Sequence, residues 1–512
     1  MTKNLIFVLI LFFVAYVPLY MMATAQLRRL IGPNFAVSFC IATIAEFVLP
    51  SAEYFFPVLL VIFVASVRDR MDAMCRYVLF TALIPFVGWS AHIGPAYITQ
   101  FYTSDVLGLG VVLALKLRFG AEERMRGPRG FTAEDGVVLV TFLILWLGIG
   151  RFPSTSGFLR NLTAQALLMV FPYWLLRRYV RDTREFAQLI GVFGASSIIL
   201  AVYAVYEART TWSLFDYVSM HLGTTSGMSK NAGLRGGALR ASVTMMTPLN
   251  LACYMSLGLL AIACTKRLYR TGIAHFGFLV LALLGLLAPQ SRGNLACVVF
   301  GVLMLCVVWR KWGYVVATLG TALLGSVALL AIAKVSPRVS AFLNLDAQPV
   351  AGQYYDYRQL LLHRGMQEGW QHPILGQSLS TVFDHLADIQ QGEHIVDLVN
   401  TYLTFFLTSG LVGMVPLTLL VLASLRKAIT GFPARADPAF ERVRAFCFAG
   451  LAMVLIELAF MSFIDRIPYM LLLALAGSRL VGAEKRAVAR DARAPRAIRA
   501  SAPAGPLATG AA

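Results

Sequence analysis

Charge is what this chain has least of: only 14% of its residues are Asp, Glu, Lys or Arg, and the acidic ones number 26 in 512. Soluble domains carry about a quarter of their residues charged, so a water-facing globular fold is excluded. Cysteine is scarce too. Six of the seven (Cys40, Cys253, Cys264, Cys297, Cys306, Cys447) lie inside apolar runs and Cys75 follows a basic turn, which implies no disulfide framework. Compact metal-ligand spacing is also missing. His385, Asp388, Glu393, His394 and Asp397 share one stretch, but no pair among them has the spacing of a zinc site, so no metal is expected. The net charge of +18 does not point to nucleic acid, because most of the basic residues sit in short turns between apolar runs.

What the chain has in abundance is hydrophobic length: 58% of residues are apolar and mean hydropathy is +0.71. Apolar runs at 5–23, 34–51, 54–67, 77–95, 102–117, 137–150, 159–176, 187–206, 242–264, 272–289, 294–309, 313–334, 398–424, 445–464 and 467–482 are candidate spans. The first lacks a basic leader and a cleavage site, and reads as a retained span. Together they predict an all-α polytopic membrane protein with about 12–15 transmembrane helices, each needing about twenty apolar residues. The organisation expected is N-terminal membrane helices over 1–186, a core over 187–424, further membrane helices over 425–482 and a disordered tail over 483–512, rich in Ala, Arg and Pro.

Basic turns orient the chain. Arg68, Arg70 and Arg76, the run from Arg118 to Arg129, Arg177 to Arg184, Lys266 to Arg270, Arg310 with Lys311, Arg426 with Lys427, and the tail mark a cytoplasmic face. Segments 207–241, 290–293 and 335–397 then fall outside. The last is a polar island holding His363, His372, His385 and His394. A loop this long must pack to offset its ordering entropy, so a partly helical cap is expected. Residues 354–376 predict an amphipathic helix stopped at Pro373, with Arg358, Leu361, Leu362, Gly365, Glu368 and His372 on one face. The outer segments also carry arginines where few are expected: Arg235, Arg240, Arg292, Arg358 and Arg364. A cation near membrane depth costs about 2.5–3.5 kcal/mol on insertion scales. Snorkelling to lipid headgroups explains any one of them. A converging set suits a diphosphate, whose oxygens the guanidinium fork meets at two points.

Four ordered segments carry a resemblance. They are LRASVTMMTPLNLACYM (Leu239–Met255), SRGN (Ser291–Asn294), YRQLLLHRGMQEGWQHPILGQS (Tyr357–Ser378) and VNTYLTFFLTSGLVGM (Val399–Met414). Together they resemble the O-antigen ligase and polysaccharide polymerase superfamily of bacterial membrane glycosyltransferases. The resemblance covers about residues 190–425 and implies a GT-C-like membrane fold in the bacterial inner membrane, its site facing the periplasm and its C-terminus cytoplasmic. It implies an undecaprenyl-pyrophosphate-linked oligosaccharide as donor, a glycan or lipid-core acceptor, and no cofactor or metal. Membrane lipids, a chain-length regulator and a flippase are the partners expected, and nucleic acid is not.

In this resemblance Arg240, Arg292 and Arg358 occupy pyrophosphate-binding positions, with Arg235 and Arg364 as further candidates. Asn400 and His372 are expected to position the site. The chain departs from the family pattern in having Val243 where glycine is usual, Leu249 between Pro248 and Asn250, and Val399 where ligases place a histidine thought to deprotonate the acceptor. Valine cannot act as a base. Glu393, His394 and Asp397 are the nearby replacements, with Asp397 equally readable as a helix N-cap. Glu368 is a further catalytic candidate. The missing histidine favours a repeat-unit polymerase over a ligase, with a protein O-glycosylating relative third. A non-enzymatic transporter of lipid-linked glycans is the reading from another class. It would want charges along a pathway, of which the apolar runs offer Glu46, Asp105 and Glu457.

Overall fold

Apolar residues cover whole helices here rather than one stripe, and that dictates helix-on-helix packing throughout. The computed structural model describes the chain except for residues 95, 126–131, 150, 152–153, 223–233, 236–237, 337–339, 341–351, 390–395, 430–436, 463–465 and 494–512. Among the described residues, five helical stretches are long and apolar enough to cross a membrane: Thr2–Met22, Thr183–Thr210, Trp312–Ala333, Thr401–Lys427 and Ile467–Lys485. Shorter apolar helices include Pro33–Val48, Ala52–Ser66, Pro248–Cys264, Gly272–Leu287 and Arg292–Val308. The protein is an all-α polytopic membrane protein, as its composition predicts. Helix Thr183–Thr210 is its axis, packed against Thr2–Met22, Arg70–Leu83, Pro248–Cys264, Gly272–Leu287 and Pro438–Glu457.

The basic turns gather at one end of this bundle and are tied to one another. Arg29 meets Asp69 at 3.3 Å, Arg177 meets Asp135 at 2.7 Å, Arg184 meets Asp437 at 2.6 Å, and Lys427 and Arg479 share Glu134 at 2.7 and 3.1 Å. Arg70 bonds both Glu185 and the carbonyl of Tyr179. At the opposite end Asn4 donates to the Leu214 carbonyl (3.0 Å) and Trp89 to Glu53 (3.3 Å). The first helix therefore begins at the end remote from the basic turns.

Three stretches depart from the sequence reading. The run 77–95 is not one span: helix Arg70–Leu83 stops before Pro85, and Gly88–Ile93 pairs antiparallel with Ala96–Tyr102. The hairpin's aromatic alternation (Trp89, Phe101, Tyr102) suits a strand and reads as an apolar run only when averaged. Secondly, the segment 242–247, expected as the start of a span, precedes helix Pro248–Cys264 as a turn with a short 3-10 stretch at Val243–Met245. Thirdly, helix Ile467–Arg493 carries on into the stretch expected to be tail, because its Ala, Lys and Arg are strong helix formers.

The polar island does form a cap. Helix Gly352–Gly369 and helix Leu379–His385 enclose a small core of their own (Tyr357, Leu361, Val382, Leu386, Ile389) that closes over Leu398, Leu403 and Leu407 of the following span. The buried stripe of the cap helix is Tyr357, Leu361, Gly365 and Glu368, while Arg358, Leu362 and His372 are exposed. The face expected from the sequence is thus turned by about one residue. The helix also ends at Gly369, ahead of Pro373, so His372 lies in the turns beyond it.

Candidate functional site

Two glycines hold the cap to the membrane helices. Helix Thr401–Ile429 breaks at Gly410 (φ 59°), freeing backbone donors that a continuous helix would use. The turn 370–377 fills the break. Leu411 N donates to the Pro373 carbonyl at 2.8 Å, Val412 N to Ile374 at 3.2 Å, and Gln377 N to the Leu407 carbonyl at 2.8 Å. Gly376 (φ 63°) lies against the backbone of Leu407 and Thr408, where a Cβ would collide. Arg151 adds bonds to the carbonyls of Leu375 (2.7 Å) and Gly376 (3.1 Å). The His-Pro-x-x-Gly turn and the Gly-x-x-Gly span are therefore one lock.

From this lock a line of bonded contacts runs through all four motif segments. Tyr357 Oη accepts from Asp397 N (2.9 Å) and donates to its carbonyl (3.2 Å), which sets Arg358 beside the 397–400 segment. Leu398 accepts a hydrogen bond from Ser462, and Thr401 donates to the carbonyls of Leu458 (2.9 Å) and Met461 (2.6 Å). The helix ending there carries Glu457, which accepts from Asn294 Nδ2 at 2.9 Å. Asn294 Oδ1 in turn accepts from Ser291 Oγ at 2.6 Å, closing the corner that exposes Arg292. Beside that corner, Arg240 Nε donates to the Pro289 carbonyl (3.1 Å) and Ala241 N to that of Ala288 (3.2 Å). The segments that carry Arg240, Arg292 and Arg358 are thus joined by one line of contacts at the end of the bundle remote from the basic turns.

The remaining candidates divide. Asn400 caps the span, its side chain accepting from Tyr402 N (3.0 Å) and Leu403 N (3.1 Å). The cap role open to Asp397 is therefore filled by Asn400, three residues on. Asp397 is exposed at the rim, yet protein crowding its carboxyl raises its pKa above the ordinary aspartate value, partly offset by the Arg358 cation. Glu368 is buried inside the cap, accepting from Gln377 Nε2 (2.5 Å) and meeting His385 Nδ1 (2.6 Å). Burial alone would raise its pKa; the bonds from Gln377 and His385 outweigh it and hold the pKa below the usual glutamate range. Its geometry is that of a brace. Arg364 is paired with Asp388 at 2.7 Å in an exposed bridge. Arg235 lies on the strand Leu234–Arg235, paired with Ala238–Leu239 just ahead of Arg240. Glu393 and His394 lie outside the described residues.

Residues 277–418 match the family model described as O-antigen ligase. That match spans three of the four segments and leaves Leu239–Met255 ahead of it. No curated protein and no solved structure matches the chain. Within the matched stretch, Val399, which stands where the resemblance implies a histidine in ligases, is buried.

Four polar residues that support the candidate site were not singled out as site residues by sequence reasoning. Arg151 ties the cap turn, and Glu457 ties the Arg292 corner to the 398–401 segment. Arg466 donates to the carbonyls of Ala82 (3.2 Å) and Ile84 (2.5 Å) and touches Met245 Sδ at 3.3 Å. Glu207, fully buried, binds the turn behind Arg240. Ionisable residues at the ends of apolar runs were the available signal for all four. Glu457 closes a helix at the site's end of the bundle and Asp105 opens one at the same end, where Tyr102 N donates to it (2.8 Å). Neither lies mid-span, as a transport pathway would require.

Proposed function

We propose that this protein is a membrane glycosyltransferase that polymerises polyprenyl-pyrophosphate-linked oligosaccharide repeat units at the periplasmic face. The observation that carries this reading is the line of bonded contacts joining the segments that bear Arg240, Arg292 and Arg358 at the end remote from the basic turns. Guanidinium groups carried on separate segments that backbone and buried polar bonds tie together suit a diphosphate whose charge grows as it leaves. In the reaction the acceptor hydroxyl oxygen bonds to the donor's anomeric carbon while the bond from that carbon to the phosphate oxygen breaks. Polyprenyl pyrophosphate leaves with the electron pair, and the acceptor proton passes to a base. Asp397 fits the base role, its carboxyl beside Arg358 and made more basic by its surroundings. His394 is the alternative in the same segment. Undecaprenyl pyrophosphate is the donor lipid that the family resemblance implies.

Val399 favours polymerisation, since the ligases carry a histidine there. The ligase reading has its own support in the description of the matching family. A deletion strain read by glycan gel separates the two. Loss of long chains from an otherwise capped core indicates the polymerase, and free polymer lacking its lipid core indicates the ligase. Unchanged glycan in the deletion strain would refute both.

A further inference from the structure

The turn carrying Arg240 is strained, and a buried carboxylate holds it in place. Val243 has φ 51° and Met246 φ 66°, left-handed values that side chains of this kind adopt only under strain. Such a backbone persists only where its surroundings over-determine it. The surroundings here are specific. Glu207 Oε2 accepts from Ser242 N (3.2 Å) and Val243 N (3.0 Å), and its Oε1 accepts from Leu214 N (2.8 Å). Glu207 is 0% exposed, and its helix, Thr183–Thr210, is the axis of the bundle. Thr244 Oγ1 adds a bond to the Ala82 carbonyl (2.6 Å), and Asn250 Nδ2 one to the Met245 carbonyl (3.2 Å). Upstream of the clamp, Ala241 and Arg240 bond to Ala288 and Pro289, next to the Arg292 corner.

We propose that Glu207 is a positioning residue for transfer: its carboxylate fixes the strained 242–243 backbone so that Arg240 is presented beside Arg292 to the donor's diphosphate. The proposal rests on the reading of Arg240 given above. Both carboxylate oxygens are used, each by a backbone N–H, so glutamine must turn an NH2 towards at least one donor. The turn then loosens without any loss at the patch itself.

The test is a mutant cycle on the full-length protein reconstituted in lipid vesicles with a synthetic polyprenyl-pyrophosphate-linked repeat unit. The parent, Glu207→Gln, Arg240→Ala and the double variant are compared for kcat/KM and thermal midpoint. Glu207→Gln should lower kcat/KM by about 10- to 100-fold, the scale of a small misplacement in a preorganised site, with its midpoint close to the parent's. In the Arg240→Ala background the same change should cost nothing further, because the residue it positions is already gone. Glu207→Asp, which retracts the carboxylate by one methylene, serves the same cycle if Glu207→Gln does not accumulate. A parental rate for the Glu207 variant overturns the proposal, as does an equal fold-loss in both backgrounds, which would mark a general structural role. A parental rate for Arg240→Ala instead overturns the use of Arg240 in the proposed reaction, and the positioning claim falls with it.

Discussion

Where the resemblance to ligases implies a base, this chain has a buried valine, Val399, and two residues before it stands Asp397, a carboxylate of raised pKa. The deprotonated form is the base, so transfer should rise with pH as Asp397 ionises, with a midpoint above the ordinary aspartate value of about 3.9. The Arg358 cation pulls that pKa down, so Arg358→Gln should move the acid limb of kcat/KM to higher pH whatever it does to the amplitude. An unmoved limb would separate Asp397 from the titration. Asp397→Asn should cost about 10²–10⁴-fold, as much as alanine, since Asn400 and not Asp397 caps the helix. Should Asp397→Asn run at the parental rate while His394→Ala does not, the base is His394. Val243 offers a second test. Valine to alanine loses roughly 1.5 kcal/mol of burial and keeps the positive φ, whereas glycine loses the same packing and sheds about 1–3 kcal/mol of strain. Val243→Gly should therefore melt above Val243→Ala, the reverse of the usual order, and a lower midpoint for the glycine variant would refute the strain.

At the scale of elements, the cap is an independent small core pinned to a broken helix. Gly410→Ala places a methyl group against the carbonyls of Pro373 and Ile374. The turn 370–377 should lift, speeding hydrogen exchange over 370–389 and lowering transfer, while the rest of the bundle exchanges as before. Unchanged exchange in the cap would show that the lock is dispensable. Glu368 adds a pH term. Its folded pKa is depressed, so its contribution is full above the unfolded value of about 4.3 and is lost as pH falls through the folded value. Glu368→Gln should remove that acid dependence from cap exchange, leaving transfer at neutral pH far less affected than by the loss of Arg292. Apolar runs and basic turns were legible in the sequence because hydropathy is local. The cap helix was legible too, although its face was turned by one residue and its end misplaced by a few. The break at Gly410 was not, because its missing hydrogen bonds are supplied from Pro373 and Ile374, a distant segment. Nor was the Glu207 clamp, since a positive φ at Val243 leaves no mark in composition or period. The 88–102 hairpin was hidden for a simpler reason: its aromatic residues count as apolar in any span-length window.

Across the whole molecule, the ties among basic turns at one end and the arginine patch at the other give the chain two chemically distinct faces. Reporter fusions after Lys266, Lys311 and Lys427 should report cytoplasm, and fusions near Arg235 and Asp384 periplasm. The start of helix Thr2–Met22 should report periplasm as well, because Asn4 bonds Leu214 at the patch end. A cytoplasmic signal at Asp384 would put the arginines in the wrong compartment and end the account. The patch's chemistry is tested most directly by reconstituting the full-length protein with a polyprenyl-pyrophosphate-linked repeat unit and following glycan length and released polyprenyl pyrophosphate together, for the parent and for Arg292→Lys. The account predicts a ladder of glycan with matching lipid release from the parent. Arg292→Lys, which keeps the charge and loses the two-point fork, should give a much reduced rate at equal protein level. A parent that forms no glycan, or an Arg292→Lys variant that matches it, would contradict the central claim.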